Sequence, residues 1–559
     1  LQVLLIPIAV ILDTDGQVLA NGQRSWAGHY VREILGHAGI SFEEKYRPVL
    51  AEDLPDKSVV LLPWSMTLQQ SEIEVLKAFV SSGGALIALG GTSGLDTVLG
   101  TEEQWELPET YLTALHNGHP VTRDLQSSLH CFEGRRIKAT SGGVIARGAG
   151  AGDAIVESRH KEGWTLTFGP DLIFSILAIQ QGFEIAPAIG PTRIDAVKGM
   201  VLDLDRDRVE VPDEPGNLAF LEPVADELRA LIIRSLFCGL RHVNQQIPIL
   251  WYWPDNAPSV AHMSHDSDGG DLENARSLLD LTREVDVKTT WCTMQGHYDR
   301  AFFDDVVAHG SEVALHYDAQ TFLITADERK PAVSHLKWGY EELKAQRDAL
   351  ARECGQPLVT NKNHTLRWEG RLDFFKWCEQ LGIAVEQSRG PNTPYSNGFP
   401  FGGCHPWFPM DDETEDRPFI DVLEIPLTVQ DLNRRCSVHL GRHLADQTIR
   451  HYGVAHFLFH PNHTSDDDVR GGLRDIVGYL KDKGIPWMTA AAINQWERRR
   501  REVKFDCQDG EWHVRSNEDL EHATILVGPT DDGVTERYGY RFNVGVVDLE
   551  AGKGMAIAE

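Results

Sequence analysis

Two aspartates and a histidine are crowded into His265-Asp-Ser-Asp268, directly after the apolar stretch 258–263. Similar groups close later apolar runs: His316 and Asp318 after Glu312-Val-Ala-Leu315, His364 with Arg367 and Trp368 after 357–362, and His460 with His463 after 454–459. The separations are 316 − 266 = 50, 364 − 316 = 48 and 460 − 364 = 96 residues, too long for a zinc finger and suited to ligands carried on different strands. Histidine and carboxylate without thiolate favour a catalytic cation with an open position over a closed structural site.

Hydrolysis at such a cation needs a water of lowered pKa, a base to take its proton and an acid for the leaving group. The spacing Asp266-x-Asp268 lets one carboxylate bind the cation while the other reaches the water on it. His460 titrates near neutral pH and is the candidate acid, with Asp431 as its charge partner. The Arg367 guanidinium is expected to hold Asp266 oriented and ionised, and Trp368 and Tyr317 offer flat faces to a sugar ring. Taken singly, an Asp-x-Asp turn is a cap and a lone histidine is structural; four such groups at four strand ends point to one shared site. His265, Asp318, His451, His456 and His463 fall to supporting or surface positions, with His265 a possible substitute ligand.

A chain of 559 residues exceeds a single core, and strand-like and helix-like segments divide it into regions. Residues 1–200 alternate apolar runs with helical patterns, which predicts a parallel sheet flanked by helices. Residues 201–250 read as a connecting segment carrying an apolar helix over 225–240. From 251 to 502, apolar runs at 258–263, 287–291, 312–315, 357–362, 383–386, 422–425, 454–459 and 486–488 recur with helices between them. Seven or eight βα units in that length predict a barrel, whose functional groups sit at the carboxyl ends of the strands. Residues 503–559 predict a small antiparallel β module. The fold class is α/β multidomain.

The charge balance, 53 − 83 = −30, opposes binding to nucleic-acid phosphates and leaves neutral or cationic ligands as partners. Eight scattered cysteines form no C-x-x-C pair and no disulfide scaffold. No apolar run approaches the roughly 20 residues of a membrane span, and residues 1–12 read as a buried strand because no basic residue precedes the run and Asp13 follows it. Localisation stays open between cytoplasmic and extracytoplasmic. The sequons at Asn363 and Asn462 lie inside the expected site, which disfavours a glycosylating secretory route.

On these residues the chain resembles the polysaccharide deacetylases of carbohydrate esterase family 4 over roughly 258–500. The matching pieces are His265-Asp-Ser-Asp268, Gly310-Ser-Glu-Val-Ala-Leu-His316, His364-Thr-Leu-Arg-Trp368, Leu423-Glu-Ile-Pro-Leu427 with Asp431, Leu458-Phe-His-Pro461 and the closing segment 489–496. The resemblance implies a distorted (β/α)7-type barrel, a divalent metal that is usually zinc, Asp266 as base, Asp268 as ligand and His460 as acid. The family's histidine motif supplies two ligands a helical turn apart; here Gln320 stands four residues after His316, and His364 is expected to fill the position. The N-terminal region resembles the flavodoxin-like, class I glutamine amidotransferase-like fold in Val59-Val-Leu-Leu-Pro63, Phe79-Val-Ser-Ser-Gly-Gly84 and Thr165-Leu-Thr-Phe-Gly-Pro170. Residues 88–94 carry no cysteine nucleophile, and Ser93 fails G-x-S-x-G because residue 95 is leucine, so this region is expected to scaffold, bind or oligomerise.

The expected activity is removal of acetyl groups from an acetylated carbohydrate, with metal-bound water as nucleophile. Two rivals stand beside it: a non-catalytic glycan-binding protein with a degenerate barrel, and a metal-dependent hydrolase of another amide or ester.

Overall fold

The computed structural model describes residues 6–18, 24–115, 118–123, 125–150, 152–182, 199–319, 338–414, 419–508 and 510–557. Short apolar runs that are buried on both faces build the centre of the first sheet, as expected where helices cover a parallel sheet from two sides. Its parallel half runs Glu43–Tyr46, Ile8–Leu12, Val59–Leu62, Ala85–Ala88 and Gly163–Phe168. Beyond Gly163–Phe168 the same sheet continues antiparallel through Gly152–His160, Gly143–Gly148, Glu109–Ala114 and Leu129–Phe132.

Residues 201–250 do more than connect. Helix Val224–His242 lies on the first sheet: a Cβ on its Gly239 would sit 3.3 Å from Ala85 and 3.4 Å from Val59. Strand Ile247–Leu250 then pairs antiparallel with Leu520–Thr530, giving the C-terminal β region its first strand.

The central region is an eight-stranded, all-parallel half-barrel sheet. Its order is Leu423–Glu424, Val385–Glu386, Thr360–Asn363, Glu312–Tyr317, Thr290–Thr293, Val260–Asp266, Val454–Leu458, Val429–Gln430. The two end strands are consecutive in the chain, and no ladder joins them among the described residues. The run 486–488, expected as a strand, makes a single parallel bridge from Trp487 to Ala261 instead. Side chains accepting from backbone N–H groups start the flanking helices: Asp271 for Leu272–Glu284, Asp299 for Arg300–Ala308, Ser437 for Val438–Arg450 and Thr489 for Ala490–Arg501. Because every strand runs the same way, all carboxyl ends share one edge. No described helix is long and apolar enough to cross a membrane.

One buried charge cluster ties the regions together. Glu497, on helix Ala490–Arg501, accepts from His37 Nδ1 at 2.7 Å and from Arg501 Nε at 2.6 Å. Arg501 reaches on to Glu33, while Arg500 donates to the carbonyls of His37 and Leu250, each at 2.8 Å. Burial alone would raise the Glu497 carboxyl, but the charges of His37, Arg500 and Arg501 hold it well below the ordinary carboxylate range. Glu497→Ala would leave the buried Arg500 and half-buried Arg501 guanidinium groups short of their shared carboxylate and is expected to cost about 3–5 kcal/mol, read as an earlier urea transition.

Candidate functional site

Asp266 is the last residue of the first half-barrel strand, and Asp268 follows in the turn. Gly269 follows at φ +80, where a Cβ would meet Asn462 Nδ2 at 2.5 Å. The positive φ turns the chain away, and the missing side chain lets Asn462 donate to the Asp268 carbonyl. His316 lies in strand Glu312–Tyr317, and His364 opens the 3-10 turn after Thr360–Asn363.

These pieces converge. Asp268 Oδ1 lies 3.2 Å from His316 Nε2 and 3.6 Å from His364 Nε2, and the three are one of four side-chain groups among the described residues close enough to share a cation. Two ligands of one tetrahedral cation with bonds near 2.0–2.1 Å are separated by roughly 3.3 Å, so the spacing fits. The far nitrogens hold both rings in place. His316 Nδ1 donates to the Lys362 carbonyl at 2.9 Å, and His364 Nδ1 donates to Asp318 Oδ1 at 3.0 Å. A carbonyl can only accept, so the Lys362 carbonyl takes the Nδ1 proton of His316 and the Asp318 carboxylate takes that of His364, which leaves Nε2 of each ring as the atom turned to Asp268. Burial would raise the Asp268 carboxyl, but the His316 hydrogen bond and the charges of His460, His316 and His364 hold it well below its usual range.

The second group is Asp431 with His460 and His463. Both imidazole Nδ1 atoms lie 2.7 Å from Asp431 Oδ2, and the His460 backbone N–H donates to Oδ1 at 2.9 Å. Burial would lower the His460 imidazolium, but the Asp431 charge and hydrogen bond, with Asp268 and Asp266 behind them, push it up to about 9. His460 Nε2 lies 3.9 Å from Asp268 Oδ2, facing the first group. Asp266, buried below, turns Oδ2 toward His316 Nε2 at 3.8 Å, and its Oδ1 has no hydrogen-bond partner among the described residues.

Three expected contacts are corrected. Arg367 makes no contact with Asp266; its guanidinium bonds to the Ala319 carbonyl at 2.8 Å and to Glu369, the nearer carboxylate two residues on. Trp368 is 3% exposed, packed between Phe375 and the Arg389 guanidinium, and Tyr317 is fully buried against Phe374. Neither ring offers a face to a ligand. His265 is also no substitute ligand: it is not among the described side chains close enough to share a cation with Asp268, and its ring packs on Trp291. Gln320 lies outside the described residues.

The cation beside Asp266 is Lys362, fully buried, with Nζ 3.7 Å from Asp266 Oδ1 and bonded to Ser264 Oγ. Ser264 is bonded in turn to His456 Nε2 at 2.9 Å. The signal for this network was a run of polar residues, Thr360-Asn-Lys-Asn363, in a strand position where a parallel sheet is normally apolar.

No family model matches the chain, and no curated protein matches it. Among solved structures, a protein named as a polysaccharide deacetylase from Mycobacterium smegmatis aligns at 14% identity and TM-score 0.34, covering 44% of this chain and 92% of that one. The β-galactosidases of Rahnella sp. R3 and Bacillus circulans sp. alkalophilus align at 14% and 15% identity and TM-scores of 0.23 and 0.25. They are covered over 28% and 30% of their own lengths, against 29% and 31% of this chain, so the chain spans less than a third of either. No residue role is taken from these likenesses.

Asp318→Ala removes the acceptor that orients His364, and the expected outcome is a roughly 10–100-fold loss of divalent-metal affinity in a chelator competition, with the fold retained by circular dichroism.

Proposed function

We propose that the chain is a metal-dependent hydrolase that removes acetyl groups from a carbohydrate. The observation that carries the reading is the convergence of Asp268, His316 and His364 on one point at the carboxyl edge of the half-barrel, with both Nδ1 atoms already bonded elsewhere. The motif resemblance supplies the substrate class, and the donor set of one carboxylate and two imidazoles suits zinc.

A divalent cation held by Asp268, His316 and His364 would supply Lewis-acid polarisation of the acetyl carbonyl and acidify the attacking water. Asp266 Oδ2 faces that point and takes the proton from the water. Lys362 and Ser264 fix the strand-end carboxylate from behind. His460, held as the imidazolium by Asp431, delivers a proton from Nε2 to the departing nitrogen or oxygen.

The test is acetate release from acetylated sugars, run beside a panel of small amides and esters. Asp266→Asn is expected to lower kcat by at least about 100-fold while bound metal stays at the wild-type level. Metal loss together with activity would move Asp266 into the ligand set.

The required form of His460 is the protonated one, present in full below its ordinary value and lost as pH rises through about 9. Activity is therefore expected to fall on an alkaline limb near pH 9. In Asp431→Asn the raising charge is gone, and the limb is expected to move toward neutral pH in a kcat/KM profile.

A further inference from the structure

A second concavity lies where helix Val224–His242, the 252–258 segment, the 449–452 turn and the C-terminal β region meet, with a volume of about 460 Å³. None of the residues assigned to the proposed reaction lines it. We infer that this cavity binds a small hydroxylated carboxylate of sugar-acid size.

Arg229 is the anchor. It is 3% exposed, it lines the cavity, and neither Nη1 nor Nη2 has a hydrogen-bond partner among the described residues. A guanidinium buried without a partner is costly, and its two parallel donors match the two oxygens of a carboxylate. Of the two carboxylates whose charge acts on Arg229, Glu33 is paired with Arg501 and Asp226 accepts from backbone N–H groups, while Glu227 pairs with Arg234, and Glu222 with Arg450 at 3.3 Å and His451 at 3.2 Å.

Asp226 stands one turn before Arg229 on the same helix face, and both line the cavity. Its Oδ2 accepts from the backbone N–H groups of Cys404 at 2.6 Å and His405 at 3.2 Å, while Oδ1 is buried with no partner. That oxygen calls for a donor such as a hydroxyl. The walls include Tyr252 and Tyr538, whose hydroxyls bond each other at 2.6 Å, which leaves ring faces for an apolar sugar edge. A bare small anion would leave Asp226 Oδ1 unmet, and a neutral sugar would leave Arg229 unmet. A molecule carrying both groups satisfies the two together.

The experiment is calorimetric titration of the full chain with glucuronate, glucose, acetate and inorganic phosphate, with thermal melting in parallel. The expected result is one glucuronate bound per chain with a raised Tm, glucose and both plain anions at least about tenfold weaker, and unchanged glucuronate binding in Asp268→Ala. Arg229→Met and Arg229→Lys are both expected to weaken glucuronate at least about tenfold, the lysine variant keeping the buried charge but losing the fork. Absence of glucuronate binding, equal binding of phosphate or glucose, or undiminished binding in a folded Arg229 variant would overturn the assignment.

Discussion

The site depends on where two imidazoles place their protons. His316 Nδ1 is bonded to a main-chain carbonyl of the neighbouring strand, and His364 Nδ1 to the carboxylate of Asp318. Those bonds turn two Nε2 atoms toward one aspartate oxygen. In two of the other three groups close enough to share a cation the logic runs differently. His242 Nδ1 accepts from Arg159 Nη2 at 3.2 Å, which puts the remaining proton on the Nε2 facing Glu157. His460 and His463 both spend Nδ1 on Asp431.

The half-barrel makes that arrangement possible. Parallel strands align their carboxyl ends, so residues about 50 positions apart in sequence arrive within hydrogen-bond distance. The floor beneath is polar and closed: Lys362, Ser264 and His456 form one connected path under Asp266. A buried ammonium without such partners would be costly, so the network holds the lysine and the strand-end carboxylate in mutual position. The cluster around Glu497 then locks the half-barrel to the regions on either side.

Much of this was legible in the sequence, for physical reasons. Strands buried on both faces read as continuous apolar runs, so seven of the eight expected half-barrel runs appear as strands within a few residues. Ligand-type residues past those runs pointed to Asp268, His316 and His364, since carboxyl-end position follows from strand direction. Side-chain direction was not legible. Thr365 and Leu366 take φ of 56 and 53 in the turn after His364, which redirects Arg367 and Trp368 into the interior. Tyr317 follows His316 and therefore faces the opposite side of the sheet, into the helix layer. Lys362 was hidden because a lysine in a strand ordinarily signals solvent. The Arg229 cavity was hidden because its walls come from residues as far apart as 226 and 539.

The proposed function rests on one divalent cation held by Asp268, His316 and His364. Anomalous diffraction at the metal edge from crystals grown with zinc tests it most directly. The account predicts a single strong peak at the half-barrel edge, within about 2.0–2.2 Å of Asp268 Oδ, His316 Nε2 and His364 Nε2. A peak that leaves His364 outside bonding distance, or lies only at Asp431 and His463, would contradict it.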